Sequence, residues 1–158
     1  MKALCSHENP GGVELIGRWT MELREGHGGP LKQRIQGHNV VCTNGKEFLA
    51  SFLYSAAVAA STFTMKYIAI GTDATAEAAA NTTLGTEVAR TTGTASYVSG
   101  QIFQVTATFA SGTGTGAIVE YGLFSSSTGG TMLSRDTEAA VNKGSNDVLT
   151  VVAQYTLS

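Results

Sequence analysis

Three stretches of this chain alternate apolar and polar side chains with a period of two. That alternation restricts the fold more than any other feature. In residues 100–110, Phe103, Val105, Ala107 and Phe109 fall on one side, with Gln104, Thr106 and Thr108 on the other. In 148–157, Leu149, Val151, Ala153, Tyr155 and Leu157 oppose Thr150, Gln154 and Thr156. In 13–25, Val13 and Leu15, then Trp19, Met21 and Leu23, oppose Arg18, Thr20, Glu22 and Arg24. A period of two is the signature of a half-buried strand. A slip of one residue would carry threonines into the core, so each strand's register is strongly specified. Sheets with one apolar face must bury it against a second layer.

The remaining segments extend this pattern. Gly26-His27-Gly28-Gly29-Pro30 is a turn cluster, and Leu31 to Val41 returns as a second strand, giving a hairpin over 13–41. Asn44 followed by Glu47 has the spacing of a capping box. Phe48, Leu49, Phe52, Leu53 and Ala56 then recur at helical spacing, which predicts one α-helix over 44–60. Residues 64–71 are apolar on both sides, as in a central strand. Residues 72–85 are a small-residue loop. Shorter strands are expected at 86–91, 117–124 and 131–135, separated by Gly- and Ser-rich turns. About eight short strands with turns between them predict a mainly β chain, a β-sandwich or jelly-roll-like fold. Residues 1–12, with Pro10, Gly11 and Gly12, read as a flexible N-terminal arm, and 13–158 as a single sandwich domain.

Charged residues make up 14% of the chain, against about 25% in an average domain. Threonine, serine, alanine and 19 glycines take their place. Such a surface suits contact with other proteins. Net charge is −2 and the basic residues are scattered, with Lys32 and Arg34 the tightest group. Direct nucleic-acid binding, which wants a basic stripe, is not expected. No apolar run approaches the roughly 20 residues needed to cross a bilayer, so no membrane partner is expected. The N-terminus lacks the apolar core of a secretory signal, which predicts a cytoplasmic origin. Cys5 and Cys42 fit that compartment as two free thiols; the alternative is a disulfide formed late, after release.

Motifs for catalysis are not apparent. Gly112, Gly114 and Gly116 precede a strand rather than a helix, so they read as a loop and not a dinucleotide site. His7, His27 and His38, with Cys5 and Cys42, lack the tight spacing of a zinc site. No metal or cofactor is predicted. Glu120 falls in the middle of a strand. If it points inward it needs a cation, and Arg90 and Arg135 are the candidates for a structural ion pair. A catalytic pair would need a second acid in a cleft, and Glu87 could serve, but a structural salt bridge or solvent exposure is the expected reading. With no nucleophile–base pair in the sequence, a non-enzyme is expected.

Three stretches carry a resemblance. They are Gly17 to Arg24 followed by Gly37 to Gly45; Tyr67-Ile68-Ala69-Ile70-Gly71-Thr72 followed by Leu84 to Arg90; and Glu120-Tyr121-Gly122-Leu123-Phe124 followed by Gly130 to Arg135 and Leu149-Thr150-Val151. In this order they resemble small β-sandwich virion proteins of tailed bacteriophages, over residues 17–158. The resemblance implies a structural protein of the virion, assembled in the host cytoplasm. Two roles are open. One is a capsid decoration (cement) protein on the capsid surface that bridges neighbouring major capsid proteins. The other is a tail-fibre or baseplate component. Small size and the lack of repeats or heptads favour the first. Expected contact residues are the arm (Cys5, His7, Pro10), the hairpin tip (His27, Pro30) and the small-residue loop (Thr72, Asp73, Thr75, Glu77). Self-association as a dimer or trimer is a further expectation. A carbohydrate-binding module is the alternative from another class. It would need exposed aromatic platforms, whereas Trp19 reads as core.

Overall fold

In a computed structural model, which describes residues 14–54, 65–100 and 102–157 (backbone only at 48 and 50–54), two five-stranded antiparallel sheets form a β-sandwich. The strands are β1 (Leu15–Glu25), β2 (Leu31–His38), β3 (Val40–Val41), β4 (Tyr67–Gly71), β5 (Glu87–Thr92), β6 (Thr94–Ser99), β7 (Ile102–Phe109), β8 (Gly116–Phe124), β9 (Met132–Lys143) and β10 (Asp147–Leu157). The first sheet has the order β2-β1-β10-β7-β6 and the second β3-β9-β8-β4-β5. One helix, α1 (Thr43–Tyr54), lies against β9.

The alternating strands bury the faces that their patterns predict. Across the first sheet, Trp19 pairs with Ala153 and Ala153 with Val105. The next inward rows are Met21, Val151 and Ala107, then Leu23, Leu149 and Phe109. All nine are buried. Against them the second sheet sets Ile68 and Ile70 of β4, Ile118, Tyr121 and Leu123 of β8, and Leu133 and Val141 of β9. Trp19 reaches Tyr121 across the layers, with ring centroids 6.2 Å apart.

A second, smaller apolar cluster joins Cys42, Ala69, Leu84, Phe124 and Met132, with Tyr67 against it. Ala69, Gly122 and Phe124 alternate with the core residues of their strands, so this cluster lies on the far side of the second sheet. The segment 72–86 covers it and contributes Leu84.

Several elements differ from the sequence reading. The stretch 31–41 is two strands rather than one, because the chain bends at Asn39 and passes from the first sheet to the second. Asn39 donates its backbone N–H to Gly17 O at 3.3 Å and its Nδ2 to Tyr155 Oη at 3.3 Å. Its side chain crosses β1 where a Cβ on Gly17 would stand 1.8 Å from Asn39 Oδ1. Gly93 makes the corresponding switch between β5 and β6. Its N–H donates to Lys66 O at 2.6 Å, and a Cβ there would sit 2.9 Å from Thr106 O.

The strand expected to end at Arg135 continues to Lys143. Asp136, Thr137, Glu138 and Asn142 break the apolar alternation there, and register shifts near Val119 disturb the pairing with β8. β6 was not expected at all, because its residues are exposed throughout and leave no pattern of burial. The helix begins at Thr43, with Cys42 O accepting from Lys46 N at 3.1 Å. Asn44 therefore lies inside it, and its buried Oδ1 accepts no hydrogen bond, so the expected capping box does not form. Of the predicted stripe, Leu49 packs against the main core. Residues 55–60 of the predicted helix lie outside the described residues.

Candidate functional site

Glu120 is fully buried on the covered side of the second sheet. Its Oε1 accepts from the backbone N–H of Thr86 at 2.7 Å and of Asp73 at 3.2 Å. Its Oε2 accepts from Gly85 N at 2.8 Å and from Arg135 Nη2 and Nε at 2.9 and 3.1 Å. Both guanidinium N–H groups converge on this one oxygen, and hydrogen bonds between two ionised groups are stronger than neutral ones. Arg135 also reaches Ala76 O, Asn81 Oδ1 and, at 3.8 Å, Asp73 Oδ2. Two buried charges thus hold both ends and the middle of the 72–86 segment. Gly71 permits this closeness: a Cβ there would meet Glu120 Oε1 at 2.3 Å and Thr86 O at 2.4 Å.

Of the two arginines expected to serve Glu120, Arg135 does and Arg90 does not. Arg90 pairs with Glu87 at 2.6 Å, donates to Ser126 O and Gly129 O, and lies 3.6 Å over the Phe124 ring. This also accounts for Glu87, which is tied to Arg90 rather than placed beside Glu120. With five donors on its two oxygens, Glu120 is a structural anchor.

The loop residues expected to make contacts are held from below. Thr72 donates its N–H to Thr86 O at 3.0 Å. Asp73 Oδ1 accepts from Thr75 N at 2.9 Å and Thr75 Oγ1 at 2.8 Å. Those two bonds, backbone first, hold the Asp73 carboxyl below the usual carboxylate range, against a small opposing effect of burial and with help from Arg135. Glu77 accepts from Thr137 Oγ1. Thr72 and Thr75 are exposed, Asp73 and Glu77 half-buried. His27 and Pro30 are exposed at the β1–β2 tip, which is tied to the β9–β10 turn through Gly26 N and Asn146 O at 2.9 Å. Cys5, His7 and Pro10 lie outside the described residues.

Cys42 is a free, buried thiol. Burial pushes it up to about 11, against smaller opposing effects of a backbone N–H and the charge of Arg135. It therefore stays protonated at neutral pH. Above its ordinary value near 9, the unfolded chain loses the thiol proton first, so this group favours unfolding as pH rises. We expect iodoacetamide at pH 7.5 to leave Cys42 unmodified in the native protein and to alkylate it in 6 M guanidinium. Peptide mass spectrometry reads the difference, and rapid native alkylation would contradict the burial.

Among the described residues, no segment covers the outer face of the first sheet. Its outward rows are His38, Arg18, Gln154 and Gln104; then Gln36, Thr20, Val152 and Thr106; then Arg34, Glu22, Thr150 and Thr108. Charge is confined to β1 and β2, where Glu22 pairs with Arg24 and Arg34. β10 and β7 present hydroxyls, amides and Val152. Gln36 donates to Thr20 Oγ1 at 3.2 Å and Gln104 to Thr106 Oγ1 at 3.3 Å. A shallow depression of about 280 Å³ opens there, lined by Arg18, Thr20, Gln36, His38, Gln104 and Gln154 among others.

Sequence reasoning missed this face as a unit, because its members come from distant strands. It also missed Asn81, which accepts from both Ala78 N and Arg135. Lys143 and Asp147 were missed too. Lys143 donates to Ala110 O and Asp147 O, while Asp147 pairs with Lys32 at 3.0 Å. The Lys-Gly-Ser-Asn-Asp turn spacing was the available signal.

No family model, curated protein or solved structure matches this chain.

Proposed function

We propose that this chain is a structural virion protein of a tailed phage that decorates the capsid and bridges neighbouring major capsid proteins. The observation that carries this reading is the asymmetry of the two outer faces. One is closed by its own anchored loop, and the other, among the described residues, is an uncovered sheet of hydroxyls and amides over β10 and β7. Burying such groups against a partner costs far less than burying charge, provided they find hydrogen bonds.

A five-stranded face measures roughly 20 Å by 27 Å from standard strand spacings, or about 500 Å². A standard interface needs about 800 Å² per partner. The hairpin tip, the 72–83 loop and the N-terminal arm would supply the remainder. A protein that binds the intact shell and not the ruptured one stabilises the shell by that binding free energy. Repetition over the lattice multiplies it.

Val152 stands in the middle row of the open face. Val152→Glu is expected to leave the fold intact and to reduce retention on particles at least tenfold, because it buries an unpaired charge in the contact. Deleting residues 1–12 is expected to weaken retention to a lesser degree. Co-sedimentation with expanded heads reads both, and full retention of both variants would overturn the proposal. Mass spectrometry of purified virions separates head from tail: hundreds of copies place the protein on the head, tens or fewer on the tail.

The amide-lined depression favours a second reading, a glycan-binding module. Trp19 is buried and gives no stacking platform, so recognition would rest on the three glutamines and Arg18. A reproducible hit on a glycan array would support that reading over the first.

A further inference from the structure

Among the described residues the sandwich has four edge strands, β2 and β6 in the first sheet and β3 and β5 in the second. Edges expose unpaired backbone N–H and C=O groups and invite pairing with another strand, so proteins blunt them with charge, brevity or proline. β2 carries Lys32 and Arg34. β3 is two residues long. β5 carries Glu87 and Arg90. β6 reads Thr-Ala-Ser-Tyr-Val-Ser, with no charge, no proline and strong β-formers, and all six residues are exposed. Tyr97 and Val98, at 72% and 48% exposure, are the most exposed large apolar side chains among the described residues.

We propose that β6 is a self-association edge, pairing antiparallel with β6 of a second copy to join two first sheets into one continuous sheet. A two-fold axis sets a strand against its own sequence. The partner strand runs in reverse, so only residues close to the axis face their own copies or near neighbours, and like charges grouped there repel. β6 carries no charge, whereas in β2 an axis at Gln33 would set Lys32 of one copy against Arg34 of the other. Pairing satisfies the outward backbone groups of β6 and removes Tyr97 and Val98 from water. The open outer face of the first sheet becomes twice as wide, on both copies at once.

This inference is tested on purified full-length protein and does not depend on the capsid reading, whose own test uses particles. Sedimentation equilibrium is expected to give twice the 16.4 kDa chain mass. The double substitution Ser96→Lys with Val98→Lys should give a monomer with native circular dichroism and a melting temperature that no longer rises with protein concentration. The matching pair Ser96→Glu with Val98→Glu should do the same. An equimolar mixture of the two should restore the dimer, because an axis at Tyr97 sets position 96 of one copy against position 98 of the other, lysine against glutamate. Should the lysine pair lose native circular dichroism, the single change Val98→Lys reads the same question. A wild-type monomer at all concentrations overturns the proposal, and so does a dimer that persists in the folded lysine variant. A monomer that dimerises only after residues 1–13 are removed would assign the edge to the chain's own N-terminal segment instead.

Discussion

Replacing Glu120 with alanine is expected to cost about 3–5 kcal/mol of folding stability, the range for breaking a buried ion pair from one side. Arg135 would be left charged at 2% exposure, and the N–H groups of Asp73, Gly85 and Thr86 would lose their acceptor. At the size of this domain that corresponds to a fall in melting temperature of roughly 10 °C. The damage should be local as well as global. Amide exchange at Asp73, Gly85 and Thr86 should accelerate more than exchange in β10, because the loop has lost its anchor. Glu120→Gln should cost less, since the amide keeps one acceptor and much of the shape. Changing both partners, Glu120→Leu with Arg135→Met, should recover a large part of the loss, because no charge is then stranded. Urea denaturation and hydrogen exchange read these outcomes. A loss under about 1 kcal/mol for Glu120→Ala would show that the pair does not hold the loop.

Trp19→Ala is expected to be comparably severe, about 3–5 kcal/mol, through the lost transfer free energy and the cavity left between the sheets. Trp19 is the largest side chain in the main core and links β1 to β8 through Tyr121. Its indole Nε1 is buried and has no hydrogen-bond partner. Trp19→Phe removes that donor along with some volume, and should cost under about 1.5 kcal/mol. The contrast between the two variants, followed by far-ultraviolet circular dichroism because the sole tryptophan is removed, separates lost packing from lost hydrogen bonding. Equal effects would mean that the indole makes a polar contact worth more than its bulk.

The strands legible in the sequence were those with one face in the core. β1, β7 and β10 alternate cleanly, and burial follows that alternation over Trp19–Leu23, Val105–Phe109 and Leu149–Tyr155, while Leu157, expected on the inner face, is exposed at the strand end. The strands that escaped were those whose stability comes from elsewhere. β6 buries no residue of its own and is held by backbone pairing to β7. The second half of β9 places Asp136, Glu138 and Lys143 where a pattern rule expects apolar residues. The pairing of Glu120 was half legible. A carboxylate in an apolar strand calls for a cation, but Arg90 and Arg135 satisfy that requirement equally well on paper. Arg135 was selected because it stands on the neighbouring strand, opposite Gly122, with its guanidinium within reach of Glu120.

The order of polar and apolar residues by itself determined that this chain forms half-buried antiparallel strands, which faces of β1, β7 and β10 meet in the core, and that charge is scarce on the surface. Only the tertiary structure decided which outer face stays open, which loop is anchored to the other, and which edge is left without charge. Those outcomes depend on strands far apart in sequence coming into register, and on single-residue bends at Asn39 and Gly93 that pass the chain from one sheet to the other. Local periodicity records whether a residue is buried, but not which distant strand lies beside it.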